Sequence, residues 1–251
     1  MSLTQEEMQK ARGRVPREDE PTTFLVRLAL NQSVNPKSVT DREIVTHAFG
    51  NISAGSDTTA IAIRSVLYYL LKTPKSYTRL CDEVRATLKL PVSFVEANKL
   101  VYLRAVIQEA MRLHPSVGQL LGRSVPAGGA TICGYYIKAG AEIGMSPWVL
   151  HRDSAVFPDP DSFRPERWIL GESKTTADDL RRMTRSFFSF GHGTHTCSGK
   201  HISIMEITKL IPTLLLKYEL ELVEQGKGYR SKNWWFTPQE GLYVKLYLRD
   251  D

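Results

Sequence analysis

Long apolar runs are missing from this 251-residue chain. The best candidate, residues 61–71, is interrupted by Arg64 and is too short to span a bilayer. Residues 1–9 carry charges with no apolar core behind them, so we expect no signal peptide. Long runs of like charge are also missing, so the net charge of +6 is scattered along the chain. Nucleic acid is therefore not an expected partner.

Cysteine is scarce and odd in number, since the chain holds Cys81, Cys133 and Cys197 alone. This count argues against a disulfide framework and leaves room for one cysteine with chemistry of its own. Composition is otherwise typical of a globular protein, with 42% hydrophobic and 24% charged residues. Collagen-like, low-complexity and wholly disordered classes are therefore excluded.

The apolar pattern predicts a mainly helical α+β protein with small sheets. Residues 1–23 are polar and indicate a partial helix and a linker, so we expect the folded domain to span 24–251. A capping box of Thr40 and Glu43 predicts the start of a long helix that Pro74 ends. We further expect a second capping box at residues 93–96, helices at 100–114 and 199–216, a hairpin at 131–137, irregular structure at 147–190 and short strands at 218–248.

The segment 188–201 combines glycines with three histidines and Cys197. It is not a phosphate-binding loop, because the glycine spacing is wrong and His201 stands where a Ser or Thr belongs. From this segment alone four interpretations stay open: a zinc site, a nucleophilic Cys197 beside His195, a buried thiol in a glycine turn, or a thiolate ligand of another metal. The last is favoured, because Cys197 precedes a predicted helix whose amides and dipole stabilise a thiolate. Haem iron accepts such a ligand.

The spacing Phe190-x-x-Gly-x-His-x-Cys197-x-Gly199 resembles the haem-binding signature of the cytochromes P450, the haem-thiolate monooxygenases. His195 departs from it, because arginine is commonest at that position. The resemblance implies haem b as cofactor, Cys197 as the axial ligand of its iron, and the carboxy-terminal half of the P450 fold. Its other cofactor-binding residues would be Arg123 and His195, for the propionates, with Phe190, Gly191, Gly193 and Gly199.

Residues 54–59 resemble the oxygen-binding stretch of the family's long central helix. The chemistry needs a hydroxyl near O2 and an acid connected to solvent, roles that Thr58 and Asp57 match as catalytic residues. The alternative is that these hydroxyls only bond back to a preceding helix carbonyl.

Glu109 and Arg112 lie three residues apart and can pair on one helix face. They resemble the family's Glu-x-x-Arg motif, which Arg167 of the Pro-Glu-Arg segment completes. A planar guanidinium can bridge such a network where lysine cannot. The implied role of these three residues is structural: they lock the cysteine loop.

The resemblance implies a fungal microsomal-type monooxygenase that inserts one oxygen atom of O2 into a small lipophilic metabolite or xenobiotic. Electrons would come from NADPH through a separate flavoprotein reductase. Substrate contacts, placed by family position, would be Ala54, Val117, Leu120 and Phe236.

Members of the family are usually much longer, so the resemblance also implies that an amino-terminal anchor and the distal helices are missing. Full-length relatives are expected at the endoplasmic reticulum membrane, held only by that anchor. We expect this chain to hold haem weakly and turn over poorly. Alternatives are a truncated non-catalytic haem-binding fragment, a member that performs rearrangement or peroxide chemistry, and, more remotely, a zinc module.

Overall fold

The computed structural model describes residues 22–37, 39–223 and 226–249. Most of the polar segment 1–23 lies outside these ranges, so the predicted domain division stays a prediction. The backbone groups into two compact units, residues 1–56 and 57–251. None of the helices in the described part of the chain combines the length and apolar character that a membrane span requires.

Helices dominate the described residues: α1 (Phe24–Val34), α2 (Asp41–Lys72), α3 (Pro74–Thr87), α4 (Phe94–Ala97), α5 (Val101–Leu113), α6 (Pro147–Leu150), α7 (Ala177–Arg185) and α8 (Lys200–Lys217). The strands pair as small antiparallel sheets: β1 (Leu121–Ser124) with β4 (Glu142–Met145), β2 (Ala130–Ile132) with β3 (Tyr135–Ile137), β5 (Tyr218–Leu222) with β8 (Val244–Leu248), and β6 (Arg230–Ser231) with β7 (Gln239–Glu240). The predicted mainly helical α+β architecture is confirmed.

The long helix α2 begins at the predicted capping box. The Thr40 N–H donates to Glu43 Oε2 over 2.6 Å, and the Glu43 N–H donates to Thr40 Oγ1 over 3.3 Å. Both contacts satisfy amides that have no partner within the helix. The helix continues for 32 residues and stops at Lys72, just before Pro74.

Helix α5 lies at the centre of the second unit and buries ten of its 13 residues. A helix buried to this extent is enclosed by other elements, and α5 packs against α3 and α8. The core these helices share includes Val66, Leu80, Val84, Leu103, Val106, Ile207, Ile211 and Leu215, each less than 1% exposed. This core holds the carboxy-terminal end of α5 in place, next to the candidate site.

The amino terminus of α5 is capped from a neighbouring helix. Glu83 on α3 accepts hydrogen bonds from the Tyr102 and Leu103 N–H groups, each over 2.9 Å. The predicted capping box at residues 93–96 was wrong, because the Ser93 side chain makes no cap bond to the four-residue helix α4. The Glu83 carboxylate, which belongs to α3, therefore caps α5, whereas the sequence predicted a cap by the nearby Ser93.

We expect Glu83→Ala to lower the free energy of unfolding by about 1–2 kcal/mol, because two helix-terminal amides lose their acceptor. Urea denaturation of the purified chain measures this loss. Ser93→Ala is the matched control and should change stability by less than about 0.5 kcal/mol. Equal losses for the two variants would refute this assignment of the cap.

Candidate functional site

The cysteine loop, residues 186–199, connects α7 to α8. The Cys197 N–H donates to the Phe190 carbonyl over 2.8 Å, which closes the loop on itself. Gly191 has φ +67°, and a Cβ there would lie 3.3 Å from the His195 carbonyl oxygen. A side chain is therefore disfavoured at this position. The loop holds the Cys197 thiol exposed, just before the first turn of α8.

A cavity of about 330 Å³ lies between the cysteine loop, α2 and the segment after α5. Residues predicted from the sequence that line it are Thr58, Val117, Arg123, Phe190, Gly191, His195 and Cys197. The structure thus brings together the predicted thiol, the predicted cavity hydroxyl and two candidate propionate ligands. They come from three separate stretches of the chain.

Other predicted site residues lie off this cavity wall. Asp57 is exposed on α2, and Gly193 and Gly199 belong to the cysteine loop without lining the cavity. Gly193 serves the turn itself, since its φ is +70°. The roles predicted for Asp57, Gly193 and Gly199 therefore remain predictions.

The predicted substrate residues divide in the same way. Leu120 is 49% exposed and lies off the described cavity wall. Phe236 pairs with Val117 in an isolated bridge, and its neighbour Trp235 lines the cavity instead. Successive side chains of an extended segment point to opposite sides, which explains why Trp235 lines the cavity and Phe236 does not. Ala54 belongs to the first unit, so its substrate role stays a prediction.

The donor set of the cavity fits an iron porphyrin. Cys197 offers one soft thiol, and the guanidinium of Arg123 and the imidazole of His195 suit carboxylate groups. The rest of the wall is largely apolar, as a flat macrocycle requires. Within the described ranges, no three His, Cys, Asp or Glu side chains cluster closely enough to hold a metal ion. The loop histidines therefore do not complete a zinc site with Cys197.

Behind the cysteine loop, Glu109 holds two arginines. Arg112 bonds both Glu109 oxygens, Nε to Oε2 and Nη2 to Oε1, each over 2.9 Å. Arg167 Nε donates to Glu109 Oε1 over 3.0 Å. Glu109 and Arg112 are fully buried and Arg167 is 3% exposed. The three residues that the sequence pattern singled out therefore form one desolvated ion cluster.

Backbone carbonyls accept further guanidinium protons of this cluster. Arg112 Nη1 donates to the carbonyls of His151 and Pro160, each over 2.7 Å. Arg167 Nη1 donates to the Pro158 carbonyl, also over 2.7 Å. Burial lowers the pKa of Arg167, yet the Glu109 carboxylate opposes that effect. The cluster thereby fixes the irregular segment 151–168 against α5.

His151 is a buried residue that begins a run, His151 to Asp153, for which the sequence predicted no role. Its ring bonds the Arg112 carbonyl and the Phe188 N–H, and it has no exposed surface. Burial lowers the pKa of His151 to about 3, and the nearby charges of Arg112 and Arg152 act in the same direction. The imidazole is therefore neutral at physiological pH.

Acid should destabilise the protein through His151. The unfolded chain takes up a proton near the ordinary pKa of 6.5, whereas the native ring does so only near 3. Between these values the free energy of unfolding falls by up to about 1.4 kcal/mol per pH unit as pH decreases. Denaturation across this window should show a steeper decline for the wild type than for His151→Phe. Parallel declines would contradict the assignment.

Two hydrogen bonds that the sequence did not indicate hold Thr58 in position. Ser116 Oγ donates to the Thr58 carbonyl over 2.7 Å. The hydroxyls of Thr59 and Ser203 lie 3.0 Å apart and bond α2 to α8. Isolated hydroxyls of this kind carry no sequence pattern, so only the fold reveals them.

Comparisons with known proteins point to one family. The family model described as Cytochrome P450 matches residues 1–246. The chain is 40% identical over 233 residues to the cytochrome P450 monooxygenase cicH of Emericella nidulans, covering 90% of this chain and 45% of that protein. It is 39% identical over 220 residues to a pisatin demethylase of Fusarium vanettenii, covering 86% of this chain and 42% of that protein. The chain thus spans less than half the length of these two relatives.

A solved structure supports the fold independently of these sequence matches. The crystal structure of a cytochrome P450 (CYP102L1) superposes with a TM-score of 0.81, covering 99% of this chain and 56% of that one at 24% sequence identity. The fold class implied by the sequence resemblance is therefore confirmed, and haem b is the cofactor that this family uses. Together, the family match over nearly the whole length, the fungal relatives and the fold show that the chain belongs to the cytochrome P450 family.

Proposed function

We propose that this chain forms the haem-thiolate part of a monooxygenase that acts on a small lipophilic organic substrate. The observation that carries the proposal is the shared cavity of the Cys197 thiol and Thr58. In the proposed reaction a substrate C–H becomes C–OH and the second oxygen atom of O2 leaves as water. NADPH supplies two electrons through a separate flavoprotein reductase, and two protons are consumed. For full-length members of the family we propose a location at the endoplasmic reticulum membrane.

Cys197 is the residue that would hold the haem iron, and Arg123 and His195 would bind the propionates. When bound, the haem supplies the one-electron and O2 chemistry that protein side chains lack. Gly191 leaves the loop backbone uncovered beside the thiol, and Phe190 adds an aromatic wall.

Asp57 and Thr58, which are consecutive on α2, would deliver protons to the cavity. The Asp57 carboxylate is exposed and can exchange protons with water, whereas the half-buried Thr58 lines the cavity. Thr58 would therefore supply a hydroxyl proton inside the cavity, and Asp57 would be the acid on the solvent side. Ser116 fixes the carbonyl of Thr58, so this hydroxyl keeps its place on the wall.

The cavity wall favours a lipophilic substrate. Ala62, Val117, Leu121, Ile207 and Trp235 contribute apolar surface to it. Such a wall excludes water and recognises a ligand mainly by shape and burial of apolar area. One relative is named for the demethylation of pisatin, so lipophilic compounds that carry a removable methyl group belong among the candidate substrates.

Turnover under ¹⁸O2 tests the proposal. The haem-loaded chain is screened against lipophilic compounds that carry methyl or longer alkyl groups, for ligand-induced changes in the haem spectrum. The tightest binders are then incubated with NADPH and a fungal flavoprotein reductase. We expect an oxidised product that carries one labelled oxygen atom and requires both additions. Haem binding and ligand binding without such a product would contradict the proposed activity.

Thr58→Ala should uncouple O2 consumption from product formation. The variant loses one hydrogen-bond donor at the cavity, so the fraction of O2 that enters product should fall about tenfold, with hydrogen peroxide released instead. Product, peroxide and O2 are measured together in one assay. Thr213→Ala is the matched control, because the Thr213 hydroxyl bonds back to the Lys209 carbonyl on α8. Equal coupling in both variants would contradict the role of Thr58.

A further inference from the structure

His151 connects the buried ion cluster to the cysteine loop. Its Nε2 accepts the Phe188 N–H over 2.8 Å, and its Nδ1 lies 3.0 Å from the Arg112 carbonyl oxygen. The ring stacks on Phe187, with centroids 5.4 Å apart and planes 9° apart. The ring is therefore held on both edges and on one face.

These partners fix one tautomer of the ring. A backbone N–H can only donate, so Nε2 must present its lone pair to Phe188. A carbonyl can only accept, so the proton must reside on Nδ1 and point at Arg112. Protonation of Nε2 would place two N–H groups against each other. The neutral Nδ1–H tautomer alone satisfies both contacts.

The contacts continue on both sides of the ring. Arg112 Nη1 donates to the His151 carbonyl over 2.7 Å, so the two residues bond each other reciprocally. Phe188 begins the stretch whose Phe190 carbonyl receives the Cys197 N–H over 2.8 Å. An unbroken path of bonds and two peptide units thus leads from Arg112 to Cys197.

We infer that His151 is a positioning residue for Cys197, which sets the cysteine loop by holding the Phe188 amide. The inference rests on the proposed role of Cys197 as the haem ligand. The Glu109 cluster anchors α5 and the segment 151–168, but among the described residues none of its side chains bonds a residue of the cysteine loop. His151 supplies that last connection, and Ser189 adds a second through its hydrogen bond to the Met111 carbonyl over 3.0 Å.

The variants His151→Gln and His151→Met separate this role from simple core filling. Both side chains are unbranched and similar in volume, so both fill the site comparably. The glutamine amide oxygen can reach the position of Nε2 and accept the Phe188 N–H, whereas methionine offers only a weak acceptor. Glutamine should therefore restore the loop contact and methionine should not.

His114 provides the matched control. It is also a buried imidazole, with Nε2 donating to the Thr237 carbonyl over 2.7 Å and Nδ1 accepting from the Tyr229 hydroxyl over 2.8 Å. None of these bonds reaches the cysteine loop. His114→Gln and His114→Met therefore make the same chemical changes at a second buried position, away from the cysteine loop.

The test is made on the haem-loaded chain with two readouts. Hydrogen exchange measures how fast the Phe188 N–H opens to solvent. The absorption of the ferrous carbonyl complex, recorded over time, gives the lifetime of the thiolate-type spectrum. We expect His151→Met to accelerate both exchange and spectral loss about tenfold, and His151→Gln to stay within about twofold of the wild type. The His114 variants should leave both rates unchanged.

Two outcomes would overturn the inference. One is wild-type exchange and spectral lifetime in His151→Met, and the other is equal acceleration in all four variants, which would indicate general loss of packing. If His151→Met does not accumulate, His151→Asn takes its place, since its shorter amide can reach the Arg112 carbonyl only. A thiolate-type spectrum that survives in Cys197→Ser would instead contradict the proposed function, so the two failures are distinguishable.

Discussion

Glu109→Gln should lower the free energy of unfolding by about 3–5 kcal/mol, enough to leave most molecules of this chain unfolded. The substitution keeps the shape of the side chain but removes its charge. Arg112 and Arg167 would then remain as buried cations without a counter-ion. The unfavourable desolvation of both guanidinium groups would no longer be offset.

The geometry makes this loss larger than that of a usual ion pair. Glu109 accepts four side-chain hydrogen bonds, two from Arg112, one from Arg167 and one from the Trp168 indole over 2.8 Å. It also accepts the Arg164 N–H over 3.0 Å. An amide has one oxygen for these donors, so some buried N–H groups would face an N–H group instead.

Glu172 provides a matched control on the surface. It also binds an arginine through both oxygens, since Arg79 donates to Oε1 and Oε2 over 2.8 Å each. Its side chain is 34% exposed and that of Arg79 is 44% exposed. Glu172→Gln should therefore cost about 1 kcal/mol or less, because water can replace the lost partner. Similar urea midpoints for Glu109→Gln and Glu172→Gln would contradict the account of the buried cluster.

Elements with a continuous pattern of their own could be predicted from the sequence. Helix α2 has a capping box at its start and a proline after its end, and the glycine spacing around Cys197 matches a known signature. Helix α5 has apolar residues at helical intervals. In each case the signal lies within one segment, so no knowledge of the fold is needed.

Two helices, α3 and α7, were not predicted, because their sequence signals are ambiguous. Pro74 ends α2 and also begins α3, because proline is well placed in the first turn of a helix. Helix α7 begins with a capping box of Thr176 and Asp179, inside a stretch predicted to be irregular. Helix α8, in contrast, was predicted to residue 216 and does continue past its internal Pro212, to Lys217. Tertiary packing decides such cases, and no local pattern reports it.

The contacts that set the site were beyond the reach of sequence patterns for a different reason. Ser116, His151 and Ser203 each act through one or two hydrogen bonds to residues distant in sequence. A single side chain has no periodicity, and its partners are known only after the chain has folded. The exchange of Phe236 for Trp235 on the cavity wall likewise depends on the direction of each side chain. Motifs identify which segments meet, and the fold decides which atoms touch.

Cys197→Ser should abolish the thiolate-type spectrum and all NADPH-dependent turnover. A serine hydroxyl is harder and far less acidic than a thiol, so it does not replace a thiolate as a ligand of haem iron. Cys133→Ser is the matched control, because Cys133 is also an exposed free thiol. Cys81→Ser is a second control, since burial raises the pKa of the Cys81 thiol and keeps it protonated. Both controls should retain the spectrum.

The absorption spectrum of the ferrous carbonyl complex is the most direct test of whether Cys197 ligates the haem iron. It is recorded for the haem-loaded wild type, Cys197→Ser and Cys133→Ser at equal protein concentration. We predict the red-shifted Soret band of thiolate-ligated haem in the wild type and in Cys133→Ser, and its loss in Cys197→Ser. The same red-shifted band in all three proteins would contradict the account.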